Sequence, residues 1–133
     1  MNENLPATTP SVILFSSDLM LISSAGGAAA SAGLPFASVA SVTQLSTRAQ
    51  QGQMILCLDL AAAEGSPDAI AKIIPAAALR CAIAFGPHVH TAKLDAARHA
   101  GFARVLSRGQ FVSKLREEIS EAADRLRAGT SGS

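Results

Sequence analysis

The chain contains no tryptophan and no tyrosine, and its five phenylalanines make up the whole aromatic content, 4% of 133 residues. Its core must therefore be built from Ala, Val, Leu and Ile. Nucleic-acid binding needs aromatic platforms or clustered Lys and Arg, whereas here 11 basic side chains face 10 acidic ones for a net charge of +1. Nucleic acid is excluded as a partner. Charge of either sign is scarce at 16%, yet a hydrophobic fraction of 49% excludes a disordered chain. Long apolar runs are also missing, because Ser16, Ser17 and Asp18 interrupt the first and Asp59 the second, short of the roughly 18 residues a membrane span requires. No membrane association is expected. The opening MNENLPATTP carries Glu3 and no basic start, unlike a secretory signal, which places the chain in the cytoplasm. Cysteine is limited to Cys57 and Cys81, each inside an apolar strand-like run, which suits reduced buried thiols. His88 and His90 flank Val89 and His99 follows, but no third metal ligand is evident, so no metal site is expected.

What is present is an alternation of short apolar runs and helical stretches. Residues 11–15 read as a strand that stops at Ser16-Ser17-Asp18, and Asp18 is placed to cap a helix ended by Gly33. Gly26 and Gly27 inside that helix each cost about 1 kcal/mol relative to Ala, which favours close packing of its backbone on a neighbour. Residues 36–40 read as an edge strand, and Ser41-Val-Thr-Gln44 as a capping box whose helix closes at Gly52. Residues 54–60 form a nearly continuous apolar run of the kind buried on both faces of a parallel sheet, with Asp59 near its end. Ser66-Pro67-Asp68 opens a helix running to Pro75. A fourth strand is expected over 81–85, a fourth helix from His90 or Thr91 to Gly101, and a fifth strand over 102–106. The last helix, from about 111 to 127, carries Lys114, Arg116, Glu117, Glu118, Glu121 and Arg125 on its solvent face. Five strand–helix units imply a parallel sheet with helices on both faces, as one domain over 11–127 between tails at 1–10 and 128–133.

In such sheets the functional crevice lies outside the carboxyl ends of the strands. The polar residues expected there are Ser16, Ser17, Asp18, Asp59, His88, Ser107 and Arg108, with Gly86 and Pro87 beside them. Together with the element order, they make residues 11–126 resemble a response-regulator receiver domain of the flavodoxin-like class. Leu58-Asp59-Leu60 looks like the phospho-acceptor strand, with Asp59 at the acceptor position. Gly86 stands where the family has its switch Thr or Ser, Arg108 where it has its invariant Lys, and Val105 where an aromatic switch residue usually lies. Ser16 and Ser17 occupy the positions of the two magnesium-binding acids, leaving only Asp18 carboxylic. The resemblance implies a three-layer α/β/α sandwich with a five-stranded parallel sheet in the order 2-1-3-4-5 and five helices.

These departures set the functional expectation. Magnesium needs hard oxygen ligands, usually two carboxylates, and without the ion a phosphoryl donor and Asp59 would meet as two anions. Magnesium is not expected as a cofactor. Gly86 has no hydroxyl to bind a phosphoryl group, and Val105 cannot act as a rotating aromatic. The reading is a stand-alone degenerate receiver, not an enzyme, working through contacts with a signalling protein or through a homodimer. By resemblance the contact surface is the fourth helix, fifth strand and final helix. Two alternatives remain: an atypical regulator phosphorylated on Asp59, and a binder of a small anionic ligand in the crevice, with His88 as an anion contact. Arg108 is a candidate bidentate partner for Asp59. If Asp59 and Gly86 end adjacent strands, Cys57 lies beside Ala84 and Cys81 beside Met54, about 10 Å apart and too far to bridge.

Overall fold

The computed structural model describes residues 9–62, 64 and 66–131. Five strands, β1 (Ser11–Phe15), β2 (Phe36–Val39), β3 (Met54–Asp59), β4 (Ile83–Gly86) and β5 (Arg104–Ser107), form one sheet in the order β2-β1-β3-β4-β5. Every pairing is parallel. Central β3 is buried along all six residues, as a strand covered on both faces must be. On one face lie α1 (Leu19–Ser31), α6 (Arg108–Ser113) and α7 (Leu115–Ser131), enclosing Val12, Leu14, Ile55, Ile83 and Phe85. On the other lie α2 (Val42–Ala49), α3 (Pro67–Ile73), α4 (Ala76–Leu79) and α5 (Thr91–Ala100), over Ile13, Phe15, Leu56, Leu58 and Ala84. No helix among the described residues is long and apolar enough to cross a membrane.

The sequence signals work locally as expected at several points. The Asp18 carboxylate accepts from the N–H groups of Met20 and Leu21 and so caps α1. Ser41 accepts from the Gln44 N–H, while the Gln44 side chain accepts from Ala40 rather than Ser41. A methyl group added at Gly26 would lie 3.4 Å from the Phe36 ring, so the expected close packing holds there, but Gly27 faces open space. Gly33 and Gly101 take positive φ just past α1 and α5, where side-chain-bearing residues are disfavoured.

Four boundaries differ from expectation, three of them through competition for backbone hydrogen bonds. Beyond Pro75 the Ala-Ala-Ala-Leu run forms the unexpected helix α4, and the N–H groups of Cys81 and Ala82 close its end on Ala78 and Leu79. The fourth strand therefore starts at Ile83, not Cys81. The Phe102 N–H reaches back to Ala97 to complete the end of α5, so β5 starts at Arg104. Ser107 and Gln110 form a capping box that starts the final helical region at Arg108 as two helices meeting at Lys114. That region continues to Ser131, past the tail expected from 128, whereas residues 1–8, 132 and 133 of the expected tails lie outside the described residues.

The sheet register is shifted by one residue from expectation. Asp59 pairs with Phe85 and Cys57 with Ile83, not with Gly86 and Ala84. Cys57 and Cys81 consequently share one core layer as buried free thiols. Burial, with Cys81 and the Glu118 carboxylate nearby, pushes the Cys57 thiol up to about 12. Glu118, expected on the solvent face, is only 3% exposed. Its carboxylate accepts from both Nε and Nη2 of Arg104, at 3.1 and 2.8 Å, so a side chain from β5 reaches this turn of α7.

Candidate functional site

At the carboxyl ends of the strands a continuous hydrogen-bonded network joins four of the expected site residues. Asp59 ends β3 at 5% exposure and Ser16 follows β1 at 2%. The Ser16 hydroxyl donates to Asp59 Oδ2 at 2.8 Å, and the Ala61 N–H donates to Oδ1 at 2.9 Å. The second bond is an Asx turn, in which an aspartate folds the chain around its own side chain. Ser16 Oγ also accepts from the Asp18 N–H at 3.1 Å, which ties the start of α1 to the same carboxylate. Both oxygens of Asp59 thus have neutral donors. Among the described residues no cationic side chain pairs with it.

Arg108 does not form the pair with Asp59 that its position suggested. Its Nη2 donates to Asp18 Oδ2 at 2.6 Å. Asp18 follows β1 and Arg108 follows β5, on either side of the ends of β3 and β4, so the ion pair spans the mouth of the crevice. The physical reason is access: Asp59 is buried and already satisfied, while Asp18 is half-exposed with one oxygen left over from capping α1. Arg108 beside it, followed by the N–H of Leu21, holds the Asp18 carboxyl below its usual value of 3.8.

The remaining expected residues lie around this network with less engagement. Ser17 is exposed. Gly86 is buried at the end of β4, where an added methyl group would come within 3.3 Å of Leu60 Cβ. Val105 is half-buried on β5 and packs on the core layer of the opposite face from Phe111. His88 and His90 are exposed on the turn before α5, and His99 Nδ1 lies 2.9 Å from the Asp95 carbonyl. Among the described residues no three His, Cys, Asp or Glu side chains converge on a common point.

Two residues escaped the sequence reading. Lys93, in the first turn of α5, donates from Nζ to the Leu60 carbonyl at 3.4 Å and so leans over the end of β3. Its place just after the β4 loop was the available signal, since that loop faces the crevice. Glu64 accepts from the Val42 N–H at 2.8 Å, fastening the loop after Asp59 to the start of α2. Only the folded chain brings those segments together.

No family model and no curated protein matches the sequence. Solved structures do. A response regulator from Thermotoga maritima matches with TM-score 0.68 at 13% identity, covering 87% of this chain and 98% of that one. The chain has the receiver fold. The beryllofluoride-activated NtrC4 receiver domain dimer, compared with this receiver fold, gives TM-score 0.64 at 14% identity over 84% of this chain and 98% of that one. An adenylate cyclase structure from Rhodopirellula baltica also shares the receiver fold, with TM-score 0.71 and 14% identity over 93% and 94% of the two chains. Proteins with such different names agree in fold alone, so the chemistry of a receiver-fold chain follows from its own crevice.

Proposed function

We propose that this chain is a degenerate receiver-fold signalling module, with Asp59 a vestigial acceptor, that acts through protein contacts and not through magnesium-dependent aspartyl phosphorylation. The observation that carries this reading is a buried carboxylate with no cation beside it: the Ser16 hydroxyl and the Ala61 N–H are neutral donors to Asp59, and Arg108 is committed to Asp18. Attack by a carboxylate on an anionic phosphoryl donor needs a positive charge between the two, and the only donors Asp59 has among the described residues are neutral.

The donor set does not suit magnesium. The ion demands several hard oxygens in near-octahedral array. Ser16 and Ser17 offer only neutral hydroxyls, the Ser16 oxygen already accepts from the Asp18 N–H, and Asp18 is shared between Arg108 and the N-terminus of α1. Gly86 offers no hydroxyl for a phosphoryl oxygen, and half-buried Val105 lacks the ring whose rotation would report one. The output assigned to the module is association with a signalling protein or a second copy in the cytoplasm, with no catalytic step of its own.

The test is incubation with acetyl phosphate and magnesium, followed by intact mass measurement. The expected spectrum is unmodified protein. An acid-stable, base-labile phosphate adduct that disappears in Asp59→Asn would overturn the proposal and establish Asp59 as a working acceptor. A parallel variant, Ser16→Asp with Ser17→Asp, should gain magnesium-dependent stability that the unmodified protein lacks.

A further inference from the structure

Helix α1 lies on the surface without one charged residue between Leu19 and Ser31. Leu21, Ala25, Ala28 and Ala29 turn into the core, while Leu19 and Met20 stand 80% and 79% exposed. The solvent side of a helix ordinarily carries charge, and apolar side chains exposed together mark a surface that another protein covers. Beside α1 runs an open groove of about 780 Å³, bounded by α6 and α7. Ser24, Gly27 and Ser31 line it on the α1 side, and Val112, 45% exposed, lines it opposite.

Among the described residues only two charged side chains line this groove, and they are neighbours of opposite sign, Arg116 and Glu117. The face formed by α5, β5 and α7 is different. There Arg104 is committed to Glu118 and Arg98 to Asp95.

We infer that the groove beside α1 is a contact surface between two copies of this chain, with α1 of each copy seated against the other's groove about a two-fold axis. In such an interface the same patch is used twice, and the rotation sets Arg116 against the partner subunit's Glu117 and Glu117 against the partner subunit's Arg116. A second copy supplies both signs by symmetry. It also brings an uncharged α1, which covers Leu19, Met20 and Val112 without burying an unmatched charge. This pairing is independent of the loss of phosphotransfer, and either can fail alone.

Light scattering coupled to size exclusion, over a dilution series of the full chain, should show a mass approaching twice 13.6 kDa at high concentration. The decisive variant is Gly27→Lys. A Cβ at Gly27 meets nothing within 4 Å, and lysine is a better helix former than glycine, so the variant should fold with an undiminished melting temperature yet remain at 13.6 kDa. Arg116→Glu and Glu117→Arg should each weaken association about tenfold, with the double swap restoring it. Arg98→Glu on α5 should leave the dimer intact. The inference is overturned if the unmodified chain stays at 13.6 kDa throughout, if folded Gly27→Lys still pairs, or if Arg98→Glu is the change that separates the copies.

Discussion

Removing the Ser16 hydroxyl is the sharpest perturbation of the network under the crevice. In Ser16→Ala the Asp59 Oδ2 loses its 2.8 Å donor and the Asp18 N–H loses its 3.1 Å acceptor, with Ser16 2% and Asp59 5% exposed. Water cannot readily replace a donor at that depth, and leaving a buried acceptor unsatisfied costs about 1–3 kcal/mol, more when the group is charged. We expect a loss of about 2 kcal/mol, read as the change in urea midpoint at constant m-value. For a domain of this length that corresponds to a fall in Tm of about 6–10 °C, at roughly 3–5 °C per kcal/mol. Ser17→Ala, at an exposed position, should stay within about 0.5 kcal/mol. A double-mutant cycle of Ser16→Ala with Asp59→Ala should give a coupling of about 1–2 kcal/mol, because the second truncation removes the orphaned acceptor. If Ser16→Ala costs no more than Ser17→Ala, or the cycle is additive, the network does not hold Asp59 and the reasoning fails.

Three further expectations follow from named contacts. Because Arg108 lowers the Asp18 pKa, the unfolded state binds the proton more readily; this contribution is complete above the ordinary value of 3.8 and fades as pH falls through the lower folded value. Asp18→Asn should therefore flatten the acid limb of the stability–pH curve, and an unchanged limb below pH 4 would contradict the pairing. Arg104→Ala should destabilise by about 1–3 kcal/mol, more than Glu118→Ala, because it strands a buried carboxylate whereas the reverse change leaves a half-exposed guanidinium free to hydrate; chemical denaturation of both variants decides the order. Neither thiol should react with an aromatic disulfide reagent at pH 8 in the folded state, since Cys57 and Cys81 are buried and burial raises both pKa values, and both should react on unfolding; prompt native labelling would contradict the core placement.

Much of the architecture was legible because its signals are local. The apolar run of β3, the Asp18 cap and the Ser41 box act within a few residues of themselves, and strict alternation of strand and helix leaves few topologies open. The misplaced boundaries came from local signals that prevailed over those expected to set the ends, such as the Ser107-x-x-Gln110 box that starts α6 and the Ala-rich turn after Pro75. Glu118 shows a different limit. Helical periodicity assigned it to solvent, and only the proximity of β5 supplies the arginine that makes its burial affordable.

The sequence by itself determined which residues gather at the carboxyl ends of the strands: Ser16, Ser17, Asp18, Asp59, Gly86 and Arg108 all follow from element order, since a parallel sheet sends every strand end to one edge. Which of them touch was decided only in the folded chain. Ser16 lies 43 residues from Asp59 and Arg108 lies 90 from Asp18, and their pairing depends on strand spacing, side-chain reach and burial, none of which is encoded at either position alone. The same holds for the surface of α1. The sequence already shows that residues 19–31 carry no charge, but that Leu19 and Met20 meet water was decided only when the sheet fixed which side of that helix packs on the core.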